Sequence, residues 1–266
     1  MLPLHCEIIP TDRIVDAVLR HVPAPTGLSV TCLPQHSVDA TVGTATRLAE
    51  LGYSVVPHLA AKAIGGRTAL RTLLDRCIAS GISEVFVIGG DAGTPAGPYA
   101  TGEELGRDVA ELAGGDLAIG VAGYPEGHPG IDAAVLLESL RRKQEYASRV
   151  VTQMCFSADT VHAYVDTLRA EGVHLPVRAG VAGSVPKTKL LSLATKIGVG
   201  SSLKFLSGKG ALARKLLSTE RYEPLDLIGQ LQERPGIDSV QLYSFNAVDR
   251  LPAVAAHRSR SVHPPV

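Results

Sequence analysis

The sequence predicts an α/β fold, a single eight-stranded parallel β/α (TIM) barrel, and three observations indicate it. Eight short apolar runs alternate with segments whose apolar residues recur every three or four positions, the spacing of an amphipathic helix. Gly52, Gly81 and Gly172 each follow such a segment and precede the next run, where a left-handed residue ends a helix at little cost. The 266 residues suit one domain, because barrels of this type commonly contain about 250.

Each apolar run is predicted to form a strand that ends in a polar residue or a glycine turn. The ends are Glu7 in HCEIIP, Thr31 in LSVTC, His58 in YSVVPHL, Asp91 in EVFVIGGD, Tyr124 in AIGVAGYPEGHP, Gln153 in VVTQM, the turn Gly180 to Gly183 after LPVRAGVAG, and Tyr243 in SVQLYSFN. In a β/α barrel the carboxyl ends of all strands meet at one mouth, so residues far apart in sequence converge there. The mouth is therefore the predicted active site.

The segments between the runs are predicted to form the outer helices, most clearly at residues 38–51, 68–80, 101–113 and 158–171. This alternation predicts parallel strands, because crossover helices connect such strands and cover the sheet. Residues 206–235 form a long, charged, mainly helical insertion between the seventh and eighth strands, either a lid or the seventh helix. We expect the barrel domain to span residues 1–256 and residues 257–266 to form a loose tail.

Charge and composition favour a small-molecule partner. The 26 basic and 26 acidic side chains are interspersed, whereas nucleic acids and anionic membranes are bound by concentrated basic patches. No apolar stretch approaches the roughly 18 residues that cross a bilayer, and the first residues lack the pattern of a signal peptide. We therefore expect a cytoplasmic protein that binds neither nucleic acid nor membrane.

The four cysteines are predicted to be reduced core residues. They are far apart, lie in apolar surroundings and form no C-x-x-C pair, which argues against a disulfide framework or a zinc site. On the first strand His5 and Glu7 share a face, but no H-x-H pair accompanies them. The sequence therefore favours no metal site.

Glu7 is the strongest candidate for chemistry. Leu4, Cys6, Ile8 and Ile9 surround it, so its carboxyl is poorly solvated. Desolvation raises the pKa of a carboxyl, and a raised pKa allows the group to donate a proton near neutrality. The alternative is a structural glutamate inside the barrel, paired with an Arg or Lys of a later strand.

Asp91, two histidines and a glycine-rich stretch are weaker candidates. Asp91 lies in IGGDAG, where glycines let the backbone approach a ligand, although a capped turn is the commoner explanation. The loop lacks the G-x-G-x-x-G spacing of a dinucleotide fingerprint. His58 and His128 fall at strand ends, where an imidazole either contacts a ligand or forms a structural hydrogen bond. The GVGSS stretch at residues 198–202 is a weak candidate for phosphate binding.

Several segments match one known family in order and at comparable spacings. CEIIP at residues 6–10 is similar to F-E-F-F-P, residues 57–59 carry P-H-L, and residues 90–91 carry G-D. YPEGHP at residues 124–129 matches Y-P-E-x-H-P and is the most specific segment. RRK at residues 141–143 follows, and then VTQMCF at residues 151–156 against I-T-Q-x-x-F. Over nearly its full length the chain thus resembles methylenetetrahydrofolate reductase, a folate enzyme built on a β/α barrel.

The resemblance implies a reaction and a set of site residues. Glu7 would be the general acid that protonates a bridge nitrogen of methylenetetrahydrofolate, opening the five-membered ring to an iminium that a hydride reduces. Asp91, the second catalytic residue, would lie beside the folate pterin and the flavin, and Gln153 would hydrogen-bond the folate. The positions that match flavin contacts are Thr31, His58, Tyr99, Ala100, Tyr124, His128 and Lys143.

The chain departs from the family pattern at three places. Gly89 stands where the family usually has Arg, an acidic residue is replaced near Leu136, and an aromatic residue is missing around Pro186. These losses fall mostly on contacts to the flavin phosphate and ribityl chain. We therefore expect weakly bound FAD, with NADH or NADPH as the hydride donor. Direct hydride transfer from NADH without flavin is the alternative.

The sequence thus favours an oxidoreductase that reduces 5,10-methylenetetrahydrofolate to 5-methyltetrahydrofolate. A second hypothesis is a non-catalytic folate-binding component of a methyl-transfer complex, which the buried acid Glu7 argues against because its desolvation costs stability. A third is an unrelated barrel such as an aldolase or isomerase, disfavoured because no lysine in a strand-end apolar pocket is evident. The sequence is compatible with either NADH or NADPH as the donor, and with either a monomer or a homo-oligomer.

Overall fold

A computed structural model describes residues 2–90, 95–186, 190 and 221–251. Eight parallel strands close into a barrel in which each strand pairs with its neighbour in sequence and β8 pairs with β1. The strands are β1 Leu4–Ile8, β2 Gly27–Val30, β3 Ser54–Ala60, β4 Glu84–Ile88, β5 Ala118–Gly123, β6 Arg149–Cys155, β7 Val177–Ala182 and β8 Ile237–Tyr243. The predicted TIM-type barrel is confirmed.

Helices cover the outside of the barrel. They are α1 Ile14–His21, α2 Val38–Glu50, α3 Arg67–Ala79, α4 Gly102–Ala113, α5 Ala133–Lys143, α6 Ala158–Ala170 and α7 Leu225–Leu231. The four helices predicted from periodicity, now α2, α3, α4 and α6, lie within one residue of their expected ends. No helix in the described ranges is long and apolar enough to cross a membrane. Residues 206–220 of the predicted insertion and the expected tail at 257–266 lie outside the described residues.

Alternate residues of β1 face the outer core and the barrel interior. Cys6 and Ile8 are buried in the apolar core between sheet and helices, whereas His5 and Glu7 face the interior. All four cysteines of the chain are buried and free, so the prediction of reduced core cysteines is confirmed. The two-residue period of β1 therefore directs its carboxyl, and not its thiol, towards the mouth.

A buried ionic cluster joins the amino ends of four strands inside the barrel. Arg178, of which only 2% is exposed, lies 3.1 Å from Glu84 Oε2 through its Nη2 atom. Arg149 lies 3.3 Å from Glu84 Oε1 and 2.5 Å from Asp238 Oδ2. Ser239 accepts a further hydrogen bond of 3.3 Å from Arg178 Nε. The cluster pairs its buried charges within itself, as buried charges require.

An apolar layer separates this ionic cluster from the mouth. Phe86 and Val151 lie two residues beyond the first residues of β4 and β6, and they pack together with Val56 of β3. Residues two apart on a strand face the same side, so Phe86 and Val151 lie directly above Glu84 and Arg149 inside the barrel. Polar groups nearer the carboxyl ends of the strands therefore belong to a separate site.

The seventh strand corrects one expectation. The sequence predicts a turn from Gly180 to Gly183, but Gly180 and Ala182 belong to β7 and are fully enclosed by the sheet. The glycine at position 180 does not mark a chain reversal. It allows a close approach of β6, because a Cβ atom there would lie 2.5 Å from the carbonyl oxygens of Thr152 and Gln153.

The close approach coincides with a bulge in β6, where the pairing register with β7 shifts between Val151 and Met154. Gly180 N donates to Thr152 Oγ1 at 2.8 Å, and Tyr243 of β8 donates from its hydroxyl to Thr152 O at 3.0 Å. These contacts satisfy backbone and side-chain groups that the bulge leaves without ladder partners. Bulges commonly re-aim a neighbouring side chain, and here that neighbour is Gln153.

Replacing Gly180 by Ala should destabilise the protein by about 1–3 kcal/mol, because the added methyl overlaps two carbonyl oxygens and pushes β6 and β7 apart. Urea unfolding measures this change. Gly43→Ala is the matched control: it adds the same methyl inside α2, with Arg76 Nη2 the nearest described atom at 3.6 Å, and should stabilise the helix by about 0.5–1 kcal/mol. Equal stability of Gly180→Ala and the unmodified chain would contradict the close approach.

Candidate active site

Glu7 lies near the carboxyl end of β1, between Ser29 of β2 and Tyr243 of β8 in the strand register. Its side chain is 14% exposed. Gln241 Nε2 donates to Glu7 Oε2 at 3.0 Å. Burial raises the pKa of Glu7 to about 7, and the Gln241 hydrogen bond opposes this only in part. Glu7 can therefore hold a proton at neutral pH and release it there.

Glu84 shows how a glutamate inside this barrel can pair with arginine side chains of later strands. Two guanidinium groups, those of Arg149 and Arg178, lie within 3.3 Å of its oxygens. In the described part of the chain Glu7 forms no ion pair with Lys or Arg, and its hydrogen-bond donor is the neutral amide of Gln241. Among the described residues, pairing with an Arg or Lys of a later strand, the structural alternative for a barrel-interior glutamate, is thus seen for Glu84 and not for Glu7.

The turn after β8 holds the backbone around Glu7. Ser244 Oγ donates to Glu7 O at 2.5 Å. Asn246 accepts from Ile9 N at 2.7 Å through Oδ1 and donates to Ile9 O at 3.0 Å through Nδ2. Phe245 and Asn246 have φ values of 51° and 64°, a left-handed conformation that is uncommon outside glycine. Two successive such residues beside a candidate acid are typical of a functional site.

His58 and Thr31 carry polar atoms without a hydrogen-bond partner among the described residues. The His58 Nε2 atom lies 3.9 Å from Glu7 Oε2, beyond hydrogen-bond distance, and the ring contacts Phe86 edge-on at 4.7 Å. Burial, together with the positive charge of Arg178, lowers the pKa of His58 to about 3, so the ring is neutral. Thr31 Oγ1 is likewise buried and unpartnered. Such atoms need a partner, and a bound ligand can supply one.

Tyr124, His128 and Gln153 form a second group around the loop after β5. The rings of Tyr124 and His128 meet edge-on at 5.2 Å, and His128 Nδ1 accepts from Gly130 N at 3.1 Å. With its side-chain amide oriented to suit both neighbours, Gln153 donates to Gly127 O and accepts from Glu126 N, each at 3.3 Å. Gln153 thus attaches the β6 bulge to this loop.

Three further predicted cofactor residues, Tyr99, Ala100 and Lys143, have partners or charged neighbours on the helices α4 and α5. The hydroxyl of Tyr99 donates to Asp108 at 2.6 Å. The amide of Ala100 donates to Glu104 Oε2 at 2.7 Å, as part of the cap that starts α4. Lys143 lies in the last turn of α5, where burial lowers its pKa and the negative charge of Glu103 on α4 opposes this only in part.

The three departures from the family pattern differ in their surroundings. A Cβ atom on Gly89 would meet Gly102 N at 3.9 Å and no closer described atom, so a Cβ atom is accommodated there. Leu136 lines a cavity of about 550 Å³ between α5 and α6, together with Leu140 and Tyr164, and this lining is mainly apolar. Pro186 pairs in an isolated bridge with the chain just before α7. Asp91 and the GVGSS stretch lie outside the described residues.

Sequence reasoning missed two residues of the site, Gln241 and Ser29. Both are 1% exposed and lie two residues before the predicted strand-end residues Tyr243 and Thr31, and therefore on the same faces of β8 and β2. A search for polar residues two positions inside each strand end would have found them. In the described residues no group of three His, Cys, Asp or Glu side chains is arranged to hold a metal ion.

One family and two curated relatives are similar to this chain. The sequence pattern of the methylenetetrahydrofolate reductase family matches residues 10–198, most of the chain. Methylenetetrahydrofolate reductase 1 of Schizosaccharomyces pombe is 38% identical over 80 residues, which are 29% of this chain and 13% of that protein. Methylenetetrahydrofolate reductase 2 of Saccharomyces cerevisiae is 29% identical over 119 residues, which are 41% of this chain and 20% of that protein. The matches thus span a fifth or less of either relative.

A solved structure shares the architecture. Oxaloacetate acetylhydrolase in complex with the product oxalate superposes with a TM-score of 0.56 over 93% of this chain and 77% of that chain. The sequences are 11% identical, so this likeness concerns the barrel fold alone.

Proposed function

This chain belongs to the methylenetetrahydrofolate reductase family, and on that premise we propose that it reduces 5,10-methylenetetrahydrofolate to 5-methyltetrahydrofolate with a hydride from NADH or NADPH. The observation that carries the proposal is Glu7, a buried carboxyl with a pKa of about 7. The reaction needs a group that holds a proton at neutral pH and delivers it to a substrate nitrogen. Glu7 meets that need because an amide, and not a cation, is its hydrogen-bond donor.

In the proposed mechanism Glu7 transfers its proton to a bridge nitrogen of the folate. The bond from that nitrogen to the methylene carbon breaks, and its electron pair stays with the protonated nitrogen. The other nitrogen forms an iminium with the methylene carbon, which accepts the hydride and becomes the methyl group. Each turnover consumes one proton and one NADH or NADPH. Glu7, now a carboxylate stabilised by Gln241, regains a proton from solvent through its exposed fraction.

Two further residues are proposed to orient the folate. Gln153 lies on the β6 bulge and is held by the loop after β5, so its amide is fixed in direction. Asp91 follows β4 in sequence, and a parallel barrel brings the ends of all strands to one mouth. We assign both to the substrate, as the family resemblance implies.

The described residues fit FAD only in part. Thr31 and His58 offer unpartnered polar atoms close to β1, which suits a ligand beside Glu7. Tyr99 and Ala100 are already engaged by carboxylates of α4, and Leu136 adds no charge to an apolar cavity. When bound, FAD would receive the hydride from the nicotinamide and deliver it to the folate. Direct transfer from NADH to the folate is the second candidate, favoured by the engaged Tyr99 and Ala100.

Purified protein tests both routes. We expect oxidation of NADH or NADPH that depends on methylenetetrahydrofolate and rises when FAD is added, with a weak flavin absorbance before the addition. Full turnover by flavin-free protein that does not respond to FAD would establish direct transfer. Folate binding without any oxidation of the nicotinamide would instead show a non-catalytic binding component.

Restoring an arginine at position 89 should tighten FAD binding. A charged hydrogen bond contributes about 1.5–3 kcal/mol, so Gly89→Arg should raise the affinity for FAD by about tenfold or more. Quenching of flavin fluorescence measures the affinity. Gly229→Arg is the matched control, because it adds the same charge on α7, where no described atom lies within 4 Å of the new Cβ. If both variants bind FAD like the unmodified chain, position 89 does not contact the cofactor.

A further inference from the structure

We propose that Gln241, fixed by Ser29, is a positioning residue that keeps the transferable proton of Glu7 on Oε1 and leaves that proton no exit except towards the substrate or solvent. The inference rests on the proposed function, because it concerns how the general acid of that reaction is prepared. Neither Gln241 nor Ser29 belongs to a segment that carries the family resemblance.

Three adjacent strands supply the arrangement. Ser29 Oγ on β2 donates to Gln241 Oε1 at 3.1 Å, and Gln241 Nε2 on β8 donates to Glu7 Oε2 on β1 at 3.0 Å. An amide has one accepting end and one donating end. Because the serine hydroxyl occupies the accepting end, the donating end must point at Glu7. The orientation of the Gln241 amide is thus set from the side away from the carboxyl.

This orientation determines where Glu7 carries its proton. Oε2 accepts the Gln241 hydrogen bond, and a carboxyl oxygen that bears hydrogen is a poorer acceptor than one that does not. The proton therefore resides on Oε1. The amide nitrogen of Gln241 has no lone pair available for a proton near neutral pH, so Gln241 holds the carboxyl without exchanging protons with it.

The other titratable groups around Glu7 do not compete for this proton. His58 of β3 has a pKa lowered to about 3, and its Nε2 atom is 3.9 Å away. Tyr243 of β8 has a pKa raised well above its usual value by burial, and its hydroxyl donates to Thr152 O. Cys6, on the same strand, has a pKa raised by burial to about 12. Each of these groups keeps its own protonation state in the range where Glu7 titrates.

The pH profile of folate reduction tests the role of Gln241. A general acid works while protonated, so activity of the unmodified chain should fall as the pH rises through the pKa of Glu7. Gln241→Met keeps the bulk of the side chain but removes the donor that stabilises the carboxylate. We expect its alkaline limb to move up by about one pH unit and its low-pH plateau of kcat/KM to fall about tenfold.

Two further variants separate positioning from general packing. Ser29→Ala leaves Gln241 free to rotate its amide, so the limb should move in the same direction by a smaller amount. Ser239→Ala is the control: it removes a hydroxyl from the same strand and the same face, one that bonds Arg178 and not Glu7. Its alkaline limb should stay where it is. A lower plateau with an unmoved limb in both Gln241→Met and Ser29→Ala would reduce Gln241 to a packing residue and overturn the inference.

A direct titration keeps this inference separable from the proposed function. The carboxyl carbon of Glu7, followed by nuclear magnetic resonance in protein labelled at glutamate, reports its pKa without turnover. A higher pKa of Glu7 in Gln241→Met and Ser29→Ala supports the inference even if the chain reduces no folate. The absence of folate reduction would contradict only the proposed function. An unchanged pKa in both variants would overturn it even if the reaction proceeds.

Discussion

Replacing Glu7 by glutamine should lower the rate of folate reduction by about two to four orders of magnitude while folate still binds. Glutamine has the shape of the protonated acid but no transferable proton. Single-turnover kinetics with methylenetetrahydrofolate measure the loss, and a folate titration checks binding. A decrease of only a few-fold would show that Glu7 is structural and that another group supplies the proton.

Measuring the free energy of unfolding of Glu7→Gln checks that its lower rate does not come from a loss of folded protein. The folded-state pKa of Glu7, about 7, lies above the value of about 4.3 expected for an unfolded chain. The stability contributed by its protonated form is therefore complete below the unfolded pKa and is lost as the pH rises to about 7. In urea unfolding, Glu7→Gln should match the unmodified chain in acid and exceed it by about 1–3 kcal/mol above neutrality.

Much of the fold follows from signals that are local in sequence. The helix predicted at residues 101–113 is α4, Gly102–Ala113, and the Thr101 side chain caps its start together with Glu104. Such a cap can be recognised from neighbouring residues in the sequence. Gly52 and Gly81 have φ values of 88° and 78°, the left-handed conformation predicted at both helix ends. The turn predicted at Gly180 was wrong, because a glycine that ends a strand cannot be distinguished in sequence from a glycine that allows a close approach of a neighbouring strand.

Residues of the candidate site that lie at the end of a single strand could be predicted from the sequence. Residues that become neighbours only through the register of paired strands could not. Glu7 and His58 are strand-end residues, and the structure brings them within 3.9 Å of each other. Gln241 is 234 residues from Glu7 in sequence, and only the closure of the barrel, which pairs β8 with β1, makes them neighbours. The same limit applies to the alternative of an Arg or Lys partner for Glu7, because periodicity shows that a glutamate faces inward but not which cation, if any, lies beside it.

Replacing Arg178 by methionine should destabilise the protein by about 3–5 kcal/mol, the largest effect that we expect on stability. Arg178 is 2% exposed and pairs with Glu84 at 3.1 Å. Methionine fills much of the same volume but leaves Glu84 with one guanidinium in place of two, and a buried charge that loses a partner is costly. Urea unfolding measures the change. An exposed pair gives the matched control, since Arg76→Met breaks a contact with Asp39 at 39% and 71% exposure and should cost at most about 1 kcal/mol.

A double variant distinguishes loss of the ion pair from loss of packing. If the cost of Arg178→Met arises from the uncompensated carboxylate of Glu84, then Glu84→Gln combined with Arg178→Met should be more stable than Arg178→Met alone, because the stranded charge is removed. If the cost arises from packing, the second change should add to the first. Additive losses, or a loss for Arg178→Met no larger than that for Arg76→Met, would contradict an ionic origin of the stability at this end of the barrel. Catalysis at the mouth should change little in either variant, because Val56, Phe86 and Val151 pack between the ionic cluster and the mouth and burial contributes more than the charge of Arg178 to the lowered pKa of His58.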